Sequence, residues 1–216
     1  MSTFDGGLYR VNNTTNAQFI MNMRKENLDY VEWVASVLNE FTGTRLVDRK
    51  DYNTDGCTRA AQVRLESNRH PFLTKLHDRI YIDKKKVIDP HMLKLMDAEA
   101  LAIIFMADGG VSIEDRFKNL HCYINLHTKG FSYHDNLALG KAIYDKLGIN
   151  TTVHRHNKYF YLNIPKKSHI DFIKTVLPHI CESFMYKLEK LAPVYPDEEI
   201  VWPSKKLEEI DRNDQS

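Results

Sequence analysis

Two acids, each followed by a pair of glycines, stand far apart in this 216-residue chain: Asp5-Gly6-Gly7 and Asp108-Gly109-Gly110. Asp108 closes an apolar run that begins at Ala98. Within it Leu101, Ile104 and Phe105 recur at helical spacing, and Ala98, Ala100, Ala102 and Ala107 leave room for a second backbone. A carboxylate at the C-terminal end of a helix faces the negative end of the helix dipole, so the arrangement favours a cation beside Asp108. Gly109 is expected to close the helix in the left-handed conformation. Each acid is followed by a lysine at a matched distance: Lys86 lies 81 residues after Asp5, and Lys187 lies 79 residues after Asp108. Lys86 sits in a run of three lysines, which leaves Lys85 as the alternative in that register. The ten histidines show no close His/Cys/Glu spacing, so a zinc site is not expected.

The elements between acid and lysine repeat in order. In the first half, strands are expected over residues 8–11 and 17–24. A helix follows over 28–41, then a hairpin pairing 44–52 with 58–65, then a helix over 71–81. In the second half, a strand over 119–127 precedes a helix over 133–147, a hairpin pairing 151–155 with 159–164, and a helix over 168–180. Gly43 and Gly148 stand just past the two long helices, where C-terminal glycines belong. The whole reads as a duplicated αββαββα unit of the α/β (α+β) class: residues 1–90, residues 91–190, and a charged, proline-containing tail over 191–216. That tail is expected to lie on the surface or to stay disordered.

Bulk composition narrows the function classes. With 43% hydrophobic and 27% charged residues the chain is an ordinary globular protein. The net charge of +1 means that any nucleic-acid surface must come from local clustering. No apolar run is long enough to span a membrane, and no signal peptide opens the chain. Three cysteines without metal-ligand spacing read as reduced thiols, consistent with a reducing cytoplasmic or organellar-matrix compartment.

The segment Leu101-Ala-Ile-Ile-Phe-Met-Ala-Asp-Gly109 resembles the signature helix of the LAGLIDADG homing endonucleases. Three further segments carry the same resemblance: Lys84-Lys85-Lys86-Val87-Ile88, His127-Thr128-Lys129-Gly130-Phe131-Ser132, and Phe184-Met185-Tyr186-Lys187-Leu188. Lys129 stands where glutamine is common in the family. The similarity runs from Phe4 to about Lys190. It implies two curved antiparallel sheets forming a saddle over double-stranded DNA, with paired signature helices between them. Asp5 and Asp108 would then hold divalent metal, Mg2+ or Mn2+ in its place, and Lys86 and Lys187 would each lie near a scissile phosphate. The reaction implied is site-specific hydrolysis of phosphodiester bonds, with short 3′ overhangs as products.

Strand alternation assigns the candidate DNA-facing side chains. Gln18, Ile20, Asn22 and Arg24 oppose Phe19, Met21 and Met23; Gln62, Arg64 and Glu66 oppose Val63 and Leu65; Tyr123, Asn125 and His127 oppose Ile124 and Leu126. The candidate contacts are Arg10, Arg24, Arg45, Arg59, Arg64, Asn125, Lys129, Arg155 and Lys158: Arg suits guanine, Asn suits adenine and Lys suits the backbone.

One departure stands out. Only four residues precede Asp5, where the family carries about ten, so the first signature helix is expected to be truncated. The apolar face of Leu101 to Phe105 would then want a partner from an N-terminal extension or a second chain. Two other readings remain open: a cleavage-deficient DNA-binding regulator on the same scaffold, and an intron maturase that binds structured RNA.

Overall fold

The computed structural model describes residues 6–12, 15–49, 52–54, 57–59, 61–83, 85–116, 119–195, 200 and 202; for residues 52–54, 57–59, 116 and 119 it describes the backbone alone. Two four-stranded antiparallel sheets carry the fold. The first is built from β1 (Gly6–Tyr9), β2 (Gln18–Arg24), β3 (Thr44–Arg49) and β6 (Gln62–Ser67), in the order β1-β2-β6-β3. The second is built from β9 (Gly109–Arg116), β10 (Asn119–Leu126), β11 (Thr152–His156) and β12 (Tyr159–Ile164), in the order β11-β12-β10-β9. Read from the same edge, both sheets follow first, second, fourth, third strand. The duplication is therefore one of topology, and the fold is a duplicated α/β unit.

Helices occupy matching places in the two halves. α1 (Leu28–Asn39) and α5 (Tyr133–Leu147) join the second and third strands, while α2 (Pro71–Ile80) and α6 (His169–Val176) follow the fourth. Local chemistry starts and stops them. Ser132 and Asp135 form a reciprocal capping box, and Gly148 closes α5 at φ 72°. Pro71 begins α2 behind His70, whose side chain accepts from the Phe72 amide. Asp97 caps α4 (Ala98–Asp108) by accepting from Ala100 N at 2.8 Å. The sequence reading omitted three short elements near the site. These are the ribbon of β7 (Tyr81–Ile82) with β8 (Lys85–Lys86), α3 (Pro90–Lys94), and α7 (Met185–Glu189). The 44–65 hairpin is broken in two: β3 pairs with β6, and the outer β4 (Tyr52–Thr54) pairs with β5 (Cys57–Arg59).

One continuous core joins the halves. It runs from Met21, Val31 and Leu65 through Leu101 and Phe105 to Ile124, Leu162 and Phe172. α1 reaches across to the end of the second half: Tyr30 packs edge-on to Phe184 at 5.3 Å, and Asp29 accepts from Ser183 N at 3.0 Å.

Three expectations need correction. Gly109 is extended, at φ −79° and ψ 147°, so α4 runs straight into β9 without a left-handed cap. Gly43 is likewise not left-handed. α1 ends four residues earlier, and Gly43 instead abuts Asn68. The segment after residue 190 is not wholly superficial: Leu191, Ile200 and Trp202 are buried, and Trp202 Nε1 donates to Tyr195 O at 3.0 Å. Isolated apolar residues among prolines and charges carry no periodicity, which is why their burial escaped a pattern-based reading.

Candidate functional site

Asp108 is the last residue of α4, half-buried, with Oδ2 shielded from solvent. Its carbonyl accepts from His127 N at 2.8 Å, which fixes the end of β10 against the helix end. The two glycines make this approach possible. A Cβ on Gly109 would lie 2.4 Å from the Phe105 carbonyl oxygen and 2.2 Å from Cδ2 of its ring; one on Gly110 would lie 2.9 Å from His127 Nε2. Asp5 lies outside the described residues, so the first Asp-Gly-Gly is represented only by Gly6 and Gly7 at the start of β1.

The two lysines matched in sequence are held differently. Lys187, on α7, donates from Nζ to the carbonyls of Phe105 (3.2 Å), Met106 (2.6 Å) and Gly109 (2.9 Å). The Phe105 carbonyl also accepts from Gly109 N, while those of Met106 and Gly109 lie past the last such bond of the helix, and a cation there also opposes the dipole. Lys86, at the end of β8, is half-buried and lines an apolar groove between the halves, while Lys85 is exposed. Burial pushes the Lys86 ammonium below the ordinary lysine pKa, and the negative charge of Asp108 pulls the other way. Asp108 therefore has one lysine facing it electrostatically and another fastened beneath its helix.

His127, placed by alternation on the open face of β10 but not among the candidate contacts, stands beside the end of α4. Burial and then the charges of Lys129 and Lys187 hold its pKa below the ordinary histidine value, so it is neutral near pH 7. Its ring packs against Gly110 and against Tyr161, with centroids 6.1 Å apart in the latter pair. Nothing in the spacing of the chain signalled this, because the contact arises from the junction of β10 with α4.

The alternation expected in β2, β6 and β10 is present. Met21, Met23, Val63, Leu65, Ile124 and Leu126 are buried; on the opposite faces Asn22 and Arg24 are exposed and Gln62, Arg64, Glu66, Tyr123 and Asn125 half-buried, but Ile20, expected among them, is buried and Phe19 only half-buried. Cross-strand register extends these faces. Arg24, Gln62 and Arg49 form one row, Asn22 and Arg64 the next, Glu66 and Arg45 a third. Glu66 pairs with both Arg45 and Arg64. On the second sheet Asn125 lies between Gly110 and Asn163, with Tyr123, His121, Tyr161 and His154 on the same face. Other candidates fall elsewhere. Arg10 is drawn aside to Thr15 O (2.9 Å) and Asp78 (3.2 Å). Arg155 opposes Phe160 on the reverse face from Asn125, and its Nε donates to Asn157 O. Lys158 lies over the Tyr159 ring at the tip of that hairpin, and Lys129 is exposed in the loop after β10. The side chain of Arg59 lies outside the described residues.

A groove of about 430 Å3 opens between the halves. Ala100, Ile103 and Ile104 of α4 form one wall, Gly6 and Leu8 of β1 lie opposite, and Lys86 also lines it. Its lining is almost wholly apolar. Of the Leu101 to Phe105 stretch that the sequence marked as wanting a partner, only Ile103 and Ile104 line it; Leu101 and Phe105 are fully buried in the core.

Among the described residues no three His, Cys, Asp or Glu side chains converge as a metal cluster, and no helix is long and apolar enough to cross a membrane. Two topologically identical sheets, with a helix-borne acid where α4 meets the second of them, define a duplicated α/β scaffold built around a carboxylate and lysine centre. The chain belongs to the LAGLIDADG DNA endonuclease family, whose family model matches residues 5–172. It is 24% identical over 109 residues to a probable intron-encoded DNA endonuclease 3 from Mycosarcoma maydis, an alignment covering 50% of this chain and 76% of that protein. Its fold is similar to that of the homing endonuclease I-WcaI solved with its DNA recognition sequence: TM-score 0.70, 24% identity, 86% of this chain and 81% of that one. It is also similar to the meganuclease I-AabMI solved on uncleaved DNA: TM-score 0.52, 10% identity, 89% and 86% of the two chains.

Proposed function

We propose that this chain is a site-specific endonuclease that binds double-stranded DNA along its two open sheet faces and hydrolyses phosphodiester bonds near Asp108. The carrying observation is the helix end itself. Asp108 offers carboxylate oxygens there, Lys86 faces it, and Lys187 holds the carbonyls beneath it. The donor chemistry fits a hard cation, since Asp108 supplies oxygen and its position beside the helix C-terminus favours positive charge. Asp108, with Asp5 as its counterpart in the first half, would hold Mg2+ or Mn2+. When bound, such an ion polarises a phosphate and lowers the pKa of water. Lys86, partly desolvated, stabilises negative charge arriving at a phosphate more strongly than an exposed lysine would. Lys187 keeps the last turn of α4 closed, and so keeps Asp108 in place. Cys122 and Cys181 as free thiols fit a reducing compartment.

The groove favours a second element in this reading: activity is completed by an apolar helix seated against Ala100, Ile103 and Ile104, carried by an N-terminal extension or by another chain. Cleavage-site selection on randomised duplexes, with Mg2+ and with Asp108→Asn alongside, tests the main reading. Discrete cuts lost in the variant support it. Specific binding without cuts, still absent after an apolar helix is added ahead of Gly6, leaves a regulator in its place.

A further inference from the structure

Three polar side chains meet behind the second sheet, on the face of β10 turned away from Asn125. They are Cys122 of β10, His169 at the start of α6, and Tyr195. Cys122 Sγ lies 3.3 Å from His169 Nδ1 and 3.4 Å from Tyr195 Oη, and Nδ1 lies 2.6 Å from that hydroxyl. A further contact fixes where the hydrogens go. His169 Nε2 lies 2.8 Å from Ile164 O, and a carbonyl only accepts, so Nε2 carries the ring hydrogen. Burial holds the imidazole pKa below the ordinary histidine value, so Nδ1 offers a bare lone pair. Tyr195 donates to that lone pair over the shorter distance, and the Cys122 thiol donates to Tyr195 Oη. The result is a directed chain from Cys122 through Tyr195 and His169 to Ile164.

This chain fastens the segment that follows α7. Tyr195 N donates to Leu191 O and Leu191 N to Leu188 O, so hydrogen-bonded turns lead from α7 to Tyr195. Leu188, Leu191, Ile200 and Trp202 are buried, and the Tyr195 carbonyl accepts from Trp202 Nε1. α7 also carries Lys187, whose ammonium grips the carbonyls of Phe105, Met106 and Gly109 at the end of α4. Tyr195 is therefore tied by its hydroxyl to the second sheet, and by its amide to the turns that lead back to the Asp108 centre.

The thiol is the reachable end of the chain. His169 is fully buried, whereas Cys122 and Tyr195 are half-buried. Nδ1 at 3.3 Å and Oη at 3.4 Å hem in the sulfur, so a substituent on it needs space that one of them holds. Ile164 anchors His169 in the core, which leaves Tyr195 as the partner that gives way. Cys181 makes the contrast. Burial and the charge of Asp29 push its thiol up to about 11, so it is a poor nucleophile near neutral pH.

We propose that Cys122, Tyr195 and His169 form a thiol-controlled clasp behind the Asp108 centre: a mixed disulfide between Cys122 and a low-molecular-weight disulfide opens it, frees the segment bearing Tyr195 and Trp202, and loosens the Lys187 grip. The link to cleavage rests on the endonuclease reading above. In the exchange Cys122 Sγ attacks one sulfur of the small disulfide, and the new S–S bond forms as the old one breaks. The thiol proton passes to Tyr195 Oη while the tyrosine proton passes to His169 Nδ1. The departing thiolate takes that proton back from His169 and leaves as a thiol. Burial and the contact with Cys122 raise the Tyr195 pKa, so the tyrosine relays the proton and does not rest as a phenolate. A reducing thiol reverses the exchange.

The experiment treats the full chain with oxidised glutathione, removes the excess and compares it with an untreated sample. Peptide mass mapping locates the adduct. Tryptic cutting after Lys190 and the emission of the two tryptophans, Trp33 and Trp202, report the segment. Cleavage of the selected duplex and its dissociation constant report the centre. The adduct is expected on Cys122, with tryptic cutting about 10-fold faster and emission moved to longer wavelength. Cleavage is expected to fall about 10-fold with DNA binding unchanged, and dithiothreitol to restore every readout. Cys122→Ser keeps a hydroxyl donor to Tyr195, so its segment stays fastened and its cleavage is unmoved by the reagent. Tyr195→Phe is expected to speed tryptic cutting about 5-fold with no reagent present. An adduct on Cys181 in place of Cys122, or one on Cys122 that leaves tryptic cutting and emission unchanged, overturns the clasp. A freed segment with full cleavage overturns its link to Asp108. Untreated chain that cuts no duplex removes the endonuclease reading instead, while mass mapping, proteolysis and emission of the free chain still decide the clasp.

Discussion

The second half ends its signature helix on Asp108, with Lys187 bound to three carbonyls below it and Lys86 facing it. At the corresponding place in the first half, Gly6 opens β1 beside an apolar groove. Sheet order is the same in both, and Asp5, the first half's counterpart of Asp108, lies outside the described residues. Topology is duplicated by chain direction and strand pairing alone. A reactive centre needs, in addition, a carboxylate held by contacts from distant parts of the chain. α7 supplies the lysine for the second half from 79 residues downstream. The lysine at the matching distance in the first half, Lys86, has its ammonium over the Phe131 ring of the second half, 5.9 Å from the centroid, and feels the charge of Asp108.

Five substitutions probe that contrast. Asp108→Asn is expected to have the largest effect, a loss of cleavage of about 100-fold or more with DNA binding retained; a quantitative cleavage time course reads it. Equal cutting by the variant would remove Asp108 from the centre.

Gly109→Ala follows, because its Cβ would meet backbone that cannot move aside. A loss of about 3 kcal/mol in urea unfolding is expected. The matching Gly6→Ala presses on the end of the Phe19 ring at 2.6 Å, and that ring can swing away, so about 1 kcal/mol is expected. Equal costs would mean that the two glycines serve the same close packing.

The lysine pair gives the sharpest comparison. Lys187→Met strips donors from three carbonyls at a helix end and is expected to cost about 1–3 kcal/mol in stability. Lys86→Met is expected to lower cleavage while leaving the melting temperature unchanged or slightly raised. The sign follows from linkage. A lysine whose pKa is depressed by folding binds its proton more weakly in the native state, so its penalty is fully present below the folded pKa. That penalty is relieved only as pH rises through the folded pKa toward the ordinary lysine value. Removing the charge removes the penalty. A drop in melting temperature for Lys86→Met equal to that of Lys187→Met would make both lysines caps.

Much of this architecture was legible in the chain. α1, α2, α5 and the β11–β12 hairpin stand where periodicity, proline and glycine placed them, and face assignment in β6 and β10 followed from alternation, whereas Ile20 of β2 is buried on the face expected to be open. β9 was not legible, because Gly109, Gly110 and a charged stretch at its far end weaken the strand pattern. The unequal use of Lys86 and Lys187 was hidden as well. Equal spacing in sequence suggests equal roles, but a lysine's partners are set by which helix end lies within reach of its ammonium. Trp202 was missed for the same reason, since its neighbours are distant in sequence.

The continuous core has a consequence for recombination between such proteins. Tyr30 against Phe184, Asp29 against Ser183, and Cys181 N donating to Met106 Sδ at 3.3 Å stitch α1 and α4 to residues 181–184, just ahead of α7. A chimera joining the first half of one protein to the second half of another must therefore carry matched residues at both ends of the donated piece. Exchanging the sheets while leaving this stitching mismatched would lose cooperativity, and one melting transition would split into two. The seam between the halves, more than the surface that meets a ligand, then sets which halves can be combined.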